Sequence, residues 1–140
     1  MLDIDGVLHP DPAFDGQLFI CLPFLYEILM AAKTAKIVVT SDWRLKHSVD
    51  DLKSYLFAST PSLLNRFLGV TPYLPNYKNE YRGRELEVLM WLSQHGNQPW
   101  LALDDIAGHY TYGSPNLYLT NYKTGLTEKD QSAILEKIRT

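Results

Sequence analysis

The chain has 140 residues, an apolar share of 46%, a charged share of 21% and a formal net charge of −3. That size and balance suit one compact globular domain over residues 1–140 and exclude a global basic field able to hold a polyanion. Cys21 is the only cysteine, so no internal disulfide can form. No apolar run approaches the roughly eighteen residues of a membrane span, no leader-like segment opens the chain, and a soluble cytoplasmic protein is expected.

Met1 and Leu2 run into Asp3-Ile4-Asp5-Gly6, the pattern of a strand ending at a polar edge. His9 to Gly16 carries two prolines and reads as a loop or hairpin. Leu25, Ile28, Leu29 and Ala32 fall on one face of a helix, with Pro23 tolerated in its first turn. Lys36 to Thr40 is a short β-branched run, a buried strand. Leu45, Val49, Leu52 and Leu56 mark a second helical stripe, and Leu63, Leu64, Phe67 and Leu68 a shorter one. Gly69 to Tyr81 reads as loop with a strand near Val70. Leu86, Leu89 and Met90 open a helix that Gly96 and Pro99 end. Trp100 to Leu103 and Leu117 to Leu119 read as strands. A last helix carries Ile134, Leu135 and Ile138, with Thr127 and Asp130 spaced as a capping pair. Strands alternating with helices predict an α/β fold, a parallel sheet covered on both faces.

The polar residues gather at strand ends. Asp3 and Asp5 follow the first strand, and Asp104 and Asp105 follow Leu101-Ala102-Leu103. In an open parallel sheet the carboxyl ends of the strands are where ligands bind. Four acids brought together there repel one another unless a cation such as Mg²⁺ lies among them. Thr40 and Ser41 end the second strand and offer hydroxyls and N–H groups to a phosphate. Arg82 and Arg84, ahead of a helix, offer fixed positive charge. That set is what phosphoryl transfer asks for. His9, His47 and His109 lack metal-ligand spacing and read as surface or loop residues, although His9 and His109 follow the acidic strands closely enough to touch a substrate. Trp43 reads as a core or rim aromatic.

The ordered series Asp3-Ile4-Asp5-Gly6-Val7, Thr40-Ser41, Arg82 or Arg84, and Asp104-Asp105 resembles the four motifs of the haloacid dehalogenase (HAD) superfamily. Val39-Thr40-Ser41-Asp42-Trp43-Arg44, Arg82-Gly83-Arg84-Glu85-Leu86 and Leu101 to Asp105 are similar, more narrowly, to the HAD domain of Swiss Army knife RNA-repair proteins, and Lys123 to Thr127 fits that branch too. The resemblance implies a HAD-like, three-layer Rossmann-like parallel sheet and a Mg²⁺-dependent phosphatase. It implies that Asp3 attacks phosphorus and becomes an aspartyl phosphate. Asp5 would be the general acid and then the base, its backbone carbonyl touching Mg²⁺. Thr40 and Ser41 would hold phosphoryl oxygens, and Asp104 and Asp105 would complete a metal site with Asp3 and Asp5. For the basic residue of the third motif Arg82 is preferred to Arg84, because it immediately precedes Gly83 and the helix.

Only about thirty-five residues separate Asp5 from Thr40, and about forty separate Ser41 from Arg82. The resemblance therefore implies a capless or minimally capped form, open to a nucleotide, a nucleic-acid end or another phosphomonoester. A second copy of the chain or a repair-complex subunit is a candidate lid. Any polynucleotide would be gripped locally, through Lys46, Lys53, Arg66, Lys78, Arg82 and Arg84. With two residues ahead of Asp3, the first strand is shorter than the usual five or six, and an upstream start or a truncated chain is expected. The competing readings are a phospho-acceptor regulatory domain, whose acceptor would lie mid-chain rather than at Asp3, and a non-catalytic binding module on the same fold.

Overall fold

In the computed structural model, which describes residues 1–139, the sheet is organised around Leu2. Its N–H donates to the Val38 carbonyl (2.8 Å) and its carbonyl accepts from the Thr40 N–H (2.9 Å). On the other side the Asp3 N–H and the Met1 carbonyl bond Leu103, at 3.0 and 2.9 Å. The opening segment thus runs parallel between β1 (Ile37–Val39) and β3 (Ala102–Asp104). Parallel β2 (Phe67–Val70) lies outside β1, and parallel β4 (Leu117–Leu119) outside β3. Every residue of β1 and β3 is buried, as expected for parallel strands covered on both faces. With the helices between them, these strands make an α/β fold.

Helix α1 (Leu22–Ala31) starts with a proline in its first turn and buries Leu22, Leu25, Ile28 and Leu29. It packs along α5 (Glu128–Arg139). The start of α5 is closed by the Thr127–Asp130 pair: Asp130 Oδ2 accepts from the Thr127 N–H (2.8 Å), and Thr127 Oγ1 accepts from the Asp130 N–H (3.3 Å). The large core joins Leu2, Ile4, Val39 and Leu103 to residues of these two helices and to Leu52, Leu56 and Phe57. A smaller one joins Val88 and Leu92 to Ala102 and Tyr110.

Three helical readings change. The stripe from Leu45 to Leu56 is two helices, α2 (Trp43–Lys46) and α3 (Val49–Phe57). Ser48 breaks it by accepting from the Asp51 N–H at 3.1 Å, an N-cap, and Leu45 and Val49 are left exposed. Leu63 to Leu68 is a 3₁₀ turn (Pro61–Arg66) feeding β2. In α4 (Gly83–His95) the buried face holds Glu85, Glu87, Val88 and Leu92, while Leu89 and Met90 are exposed. Hydrophobic periodicity misplaces that face because two of its inner positions are carboxylates with inner partners. No helix among the described residues is long and apolar enough to cross a membrane.

Candidate active site

The site lies where the opening segment, β1 and β3 end. Asp3 is buried and Asp104 fully so, and one carboxylate oxygen from each of Asp3, Asp104 and Asp105 lies within 4.8 Å of the others. Gly6 makes this convergence possible. Its φ is +77°, and a Cβ there would lie 2.3 Å from Asp105 Oδ2, so only glycine lets the first turn pass so close to the second acidic pair. Asp104 is fixed further by the Ile106 N–H (2.9 Å) and by His109 Nδ1 (3.0 Å).

Asp5 stands apart from this trio. Its Oδ1 accepts from the Trp43 indole N–H (3.1 Å) and meets His9 Nε2 at 2.7 Å. Its carboxylate is held by these two rings rather than by the acidic trio, although it lines the same cavity. His9, read as a surface or loop residue, is not at the surface: it is 1% exposed.

Arg84, not the preferred Arg82, reaches the acids. Arg84 Nη1 donates to Asp3 Oδ1 (3.0 Å) and lies 3.7 Å from Asp104 Oδ2, while Nη2 donates to Asp42 Oδ1 (3.2 Å). Arg82 sits at the helix N-cap in the left-handed region (φ +66°) and turns back to Glu85, 2.6 Å from its Oε2. Glu85 is also held by the Thr111 N–H and hydroxyl. The first turn of α4 can approach because Gly83 carries no Cβ, which would lie 2.0 Å from the Tyr77 carbonyl oxygen.

Thr40 Oγ1 is buried and makes no hydrogen bond, and the same holds for the hydroxyl of Tyr110. Burial foremost, with Asp104 beside it, pushes the Tyr110 phenol well above its ordinary range, and Arg84 opposes the rise. Ser41 lines the cavity, its Oγ accepting from the Trp43 N–H at 3.2 Å. Beneath these residues Arg44 ties the strand ends together. It donates to the carbonyls of Thr40 (2.7 Å), Ser41 (3.0 Å) and Thr71 (3.0 Å) and pairs with buried Glu87 at 2.9 Å. The contacts of Asp42, Arg44 and Tyr110 with the site, and of His9 and Trp43 with Asp5, go beyond the roles read for these residues from the sequence. Only the adjacency of Asp42, Trp43 and Arg44 to Thr40-Ser41 could have marked them.

The electrostatics follow from this packing. Burial raises the Asp3 pKa well above the carboxylate range, Asp104 adds to the rise, and Arg84 opposes it. Asp105 moves the same way, through burial and then Asp104. Hydrogen bonding to His9 leads the opposite shift at Asp5, which is lowered. Burial alone would lower Arg84, but Asp3, Asp104 and Asp42 hold it above its ordinary value. Three crowded acids, two with raised pKa, have the hard oxygen donors that a small divalent cation takes. The cavity in front of them is about 190 Å³ and is also lined by Tyr73, Lys78 and Asn79.

Acids on two neighbouring strand ends, a hydroxyl pair on a third and a basic residue from a helix start define the HAD type of site. The chain matches, over residues 1–131, the family described as the HAD domain in Swiss Army Knife RNA repair proteins, and it belongs to that family. No curated protein and no solved structure matches it.

Proposed function

We propose that this protein is a Mg²⁺-dependent phosphomonoesterase working through an aspartyl phosphate on Asp3, on a three-layer Rossmann-like, capless or minimally capped scaffold formed by one domain. The observation that carries the reading is the meeting of the Asp3, Asp104 and Asp105 carboxylates, with Arg84 on Asp3 and Ser41 lining the same cavity. Asp3, Asp104 and Asp105 would hold Mg²⁺, together with the Asp5 carbonyl. When bound, the ion supplies neutralisation of phosphoryl charge.

Asp3 Oδ attacks phosphorus, the bond to the leaving oxygen breaks, and that oxygen takes a proton from Asp5. Water then gives its proton to Asp5 and attacks phosphorus, releasing inorganic phosphate and the Asp3 carboxylate. The negative charge of a bound phosphate favours the protonated form of Asp5 needed for the first step. Arg84 and the Thr40 and Ser41 groups hold phosphoryl oxygens.

The family description and the open cavity favour a phosphate on a nucleic-acid end or a nucleotide. Two of the cations expected to grip a long polynucleotide are committed elsewhere, Arg66 to three carbonyls of the chain and Arg82 to Glu85, while Lys78 and Arg84 line the cavity. Recognition is therefore local to the terminal phosphate. The test is a Mg²⁺-supplemented panel of nucleotides, phosphate-ended RNA oligonucleotides and sugar phosphates, with EDTA and Asp3→Asn controls. Release of phosphate from RNA ends or nucleotides, lost in both controls, supports the reading. Activity indifferent to both controls, or no release from any of them, ends it.

A further inference from the structure

The two rings on Asp5 form an arrangement that the acid cluster does not require. Both bonds converge on one oxygen: the Trp43 indole N–H and His9 Nε2 meet Oδ1, at 3.1 and 2.7 Å. Oδ2 carries neither bond, while Asp5 lines the cavity that holds Asp3 and Arg84.

The hydrogen of His9 can be assigned from its other side. Its Nδ1 lies 3.2 Å from the backbone N of Phe19. A backbone N–H can only donate, so Nδ1 accepts, and Nε2 carries the hydrogen that Asp5 receives. Phe19 holds a positive φ of 58°, a conformation that L-residues adopt only when their surroundings impose it. In that conformation its N–H meets His9, and its ring lies edge-on to both His9 (5.4 Å) and Trp43 (5.2 Å). With His9 at 1% exposure, both donors are held by packing as well as by the bonds themselves.

We propose that His9 and Trp43 are positioning residues that clamp Oδ1 of Asp5, leaving Oδ2 as the single oxygen that exchanges a proton with the leaving group and then with water. The inference rests on the reading of Asp5 as proton carrier. The clamp limits the carboxylate to one rotamer, so proton transfer begins from a fixed geometry.

Two measurements test it. The first needs no activity: the side-chain nitrogen shifts of His9 and the indole proton of Trp43, read by NMR in the whole chain. We expect the Nε2–H tautomer at His9, and an indole proton that moves upfield in Asp5→Ala. An Nδ1–H tautomer, or an indole signal indifferent to Asp5→Ala, overturns the clamp whatever the chain hydrolyses. The second compares kcat/KM for phenyl phosphate, a poor leaving group, with dinitrophenyl phosphate, which leaves without protonation. General acid catalysis is worth about 10²–10⁴-fold. We expect His9→Leu and Trp43→Phe each to lower the phenyl phosphate value at least ~10-fold more than the dinitrophenyl value. His9→Gln, which restores an N–H near Nε2, should recover most of that difference. Equal losses on both substrates, or no rescue by glutamine, would assign His9 a purely structural role and overturn the proposal. A chain with the expected NMR signature but no hydrolysis keeps the clamp and removes the phosphatase reading instead.

Discussion

Arg84 is held by three carboxylates, at 3.0 Å from Asp3, 3.2 Å from Asp42 and 3.7 Å from Asp104. This guanidinium is a fixed charge already aimed at Asp3, the carboxylate proposed to react. Removing such an electrostatic group costs about 10²–10³ in turnover. Arg84→Ala is expected to lose activity on that scale and Arg82→Ala far less, in the same steady-state assay; the reverse order would return the third-motif role to Arg82. Asp3 makes a second prediction, in pH. Its folded pKa is raised, so it contributes stability below its unfolded pKa that is lost as pH rises through the folded value. A divalent ion displaces that proton, so the rise in Tm caused by Mg²⁺ should grow with pH. In Asp104→Asn it should shrink at every pH. A Mg²⁺ effect that is flat in pH and unchanged by Asp104→Asn would contradict this coupling.

At the scale of elements, cations expected from the sequence to face a ligand turn inward to close the fold. Arg66 Nη1 donates to the carbonyls of Leu29, Ala32 and Ala35, at 3.0, 3.1 and 3.1 Å. Leu29 and Ala32 belong to the end of α1, where a helix leaves carbonyls unpaired, and Ala35 follows in the loop, so Arg66, at the end of a separate turn, closes α1 and the loop after it from outside. Hydrogen bonds to a charged group are worth about 1.5–3 kcal/mol. Arg66→Ala should therefore lower stability by about 2 kcal/mol in urea melts, while kcat/KM and its salt dependence stay as in the parent. A loss confined to nucleic-acid substrates would restore Arg66 to a binding role.

The same scale shows what the sequence makes legible. The acidic strand ends, β1, β4 and the Thr127–Asp130 cap could be read because each is a local pattern with a local cause. The turn between α2 and α3 was not, because one Ser48 side chain overrides an unbroken hydrophobic stripe. The inner face of α4 was not, because its carboxylates are buried by partners distant in sequence, Arg44 and Thr111. The choice between Arg82 and Arg84 turned on helix phase, which two residues change from facing Glu85 to facing Asp3. The burial of His9 was not legible for a related reason. Its partners are a neighbouring acid and a backbone N–H ten residues away, freed by an unusual φ.

For the whole molecule, the sheet depends on the segment at Leu2, which is bonded to β1 on one side and β3 on the other. The Met1 amine donates to the Leu101 carbonyl at 3.0 Å, and burial pulls its pKa from 8.0 down to about 5. A cationic group lowered on folding binds fewer protons folded than unfolded, so its contribution makes stability rise with pH across that interval. Apolar residues added ahead of Met1 replace the amine with an amide. The extended chain should have the higher Tm, by the widest margin near pH 5 and with the gap closing towards pH 8. An extension that leaves the pH profile unchanged would show that the amine is solvated.

The central claim joins all three scales: distant strand ends bring acids together so that Asp3 can take up phosphorus. Its most direct measurement is acid-quenching the chain during turnover with Mg²⁺ and mapping the phosphorylated residue by peptide mass spectrometry. The account predicts an acid-stable, hydroxylamine-labile phosphate on Asp3, absent with EDTA and absent in Asp3→Asn. Steady hydrolysis with no such adduct, or phosphate on another residue, would contradict it.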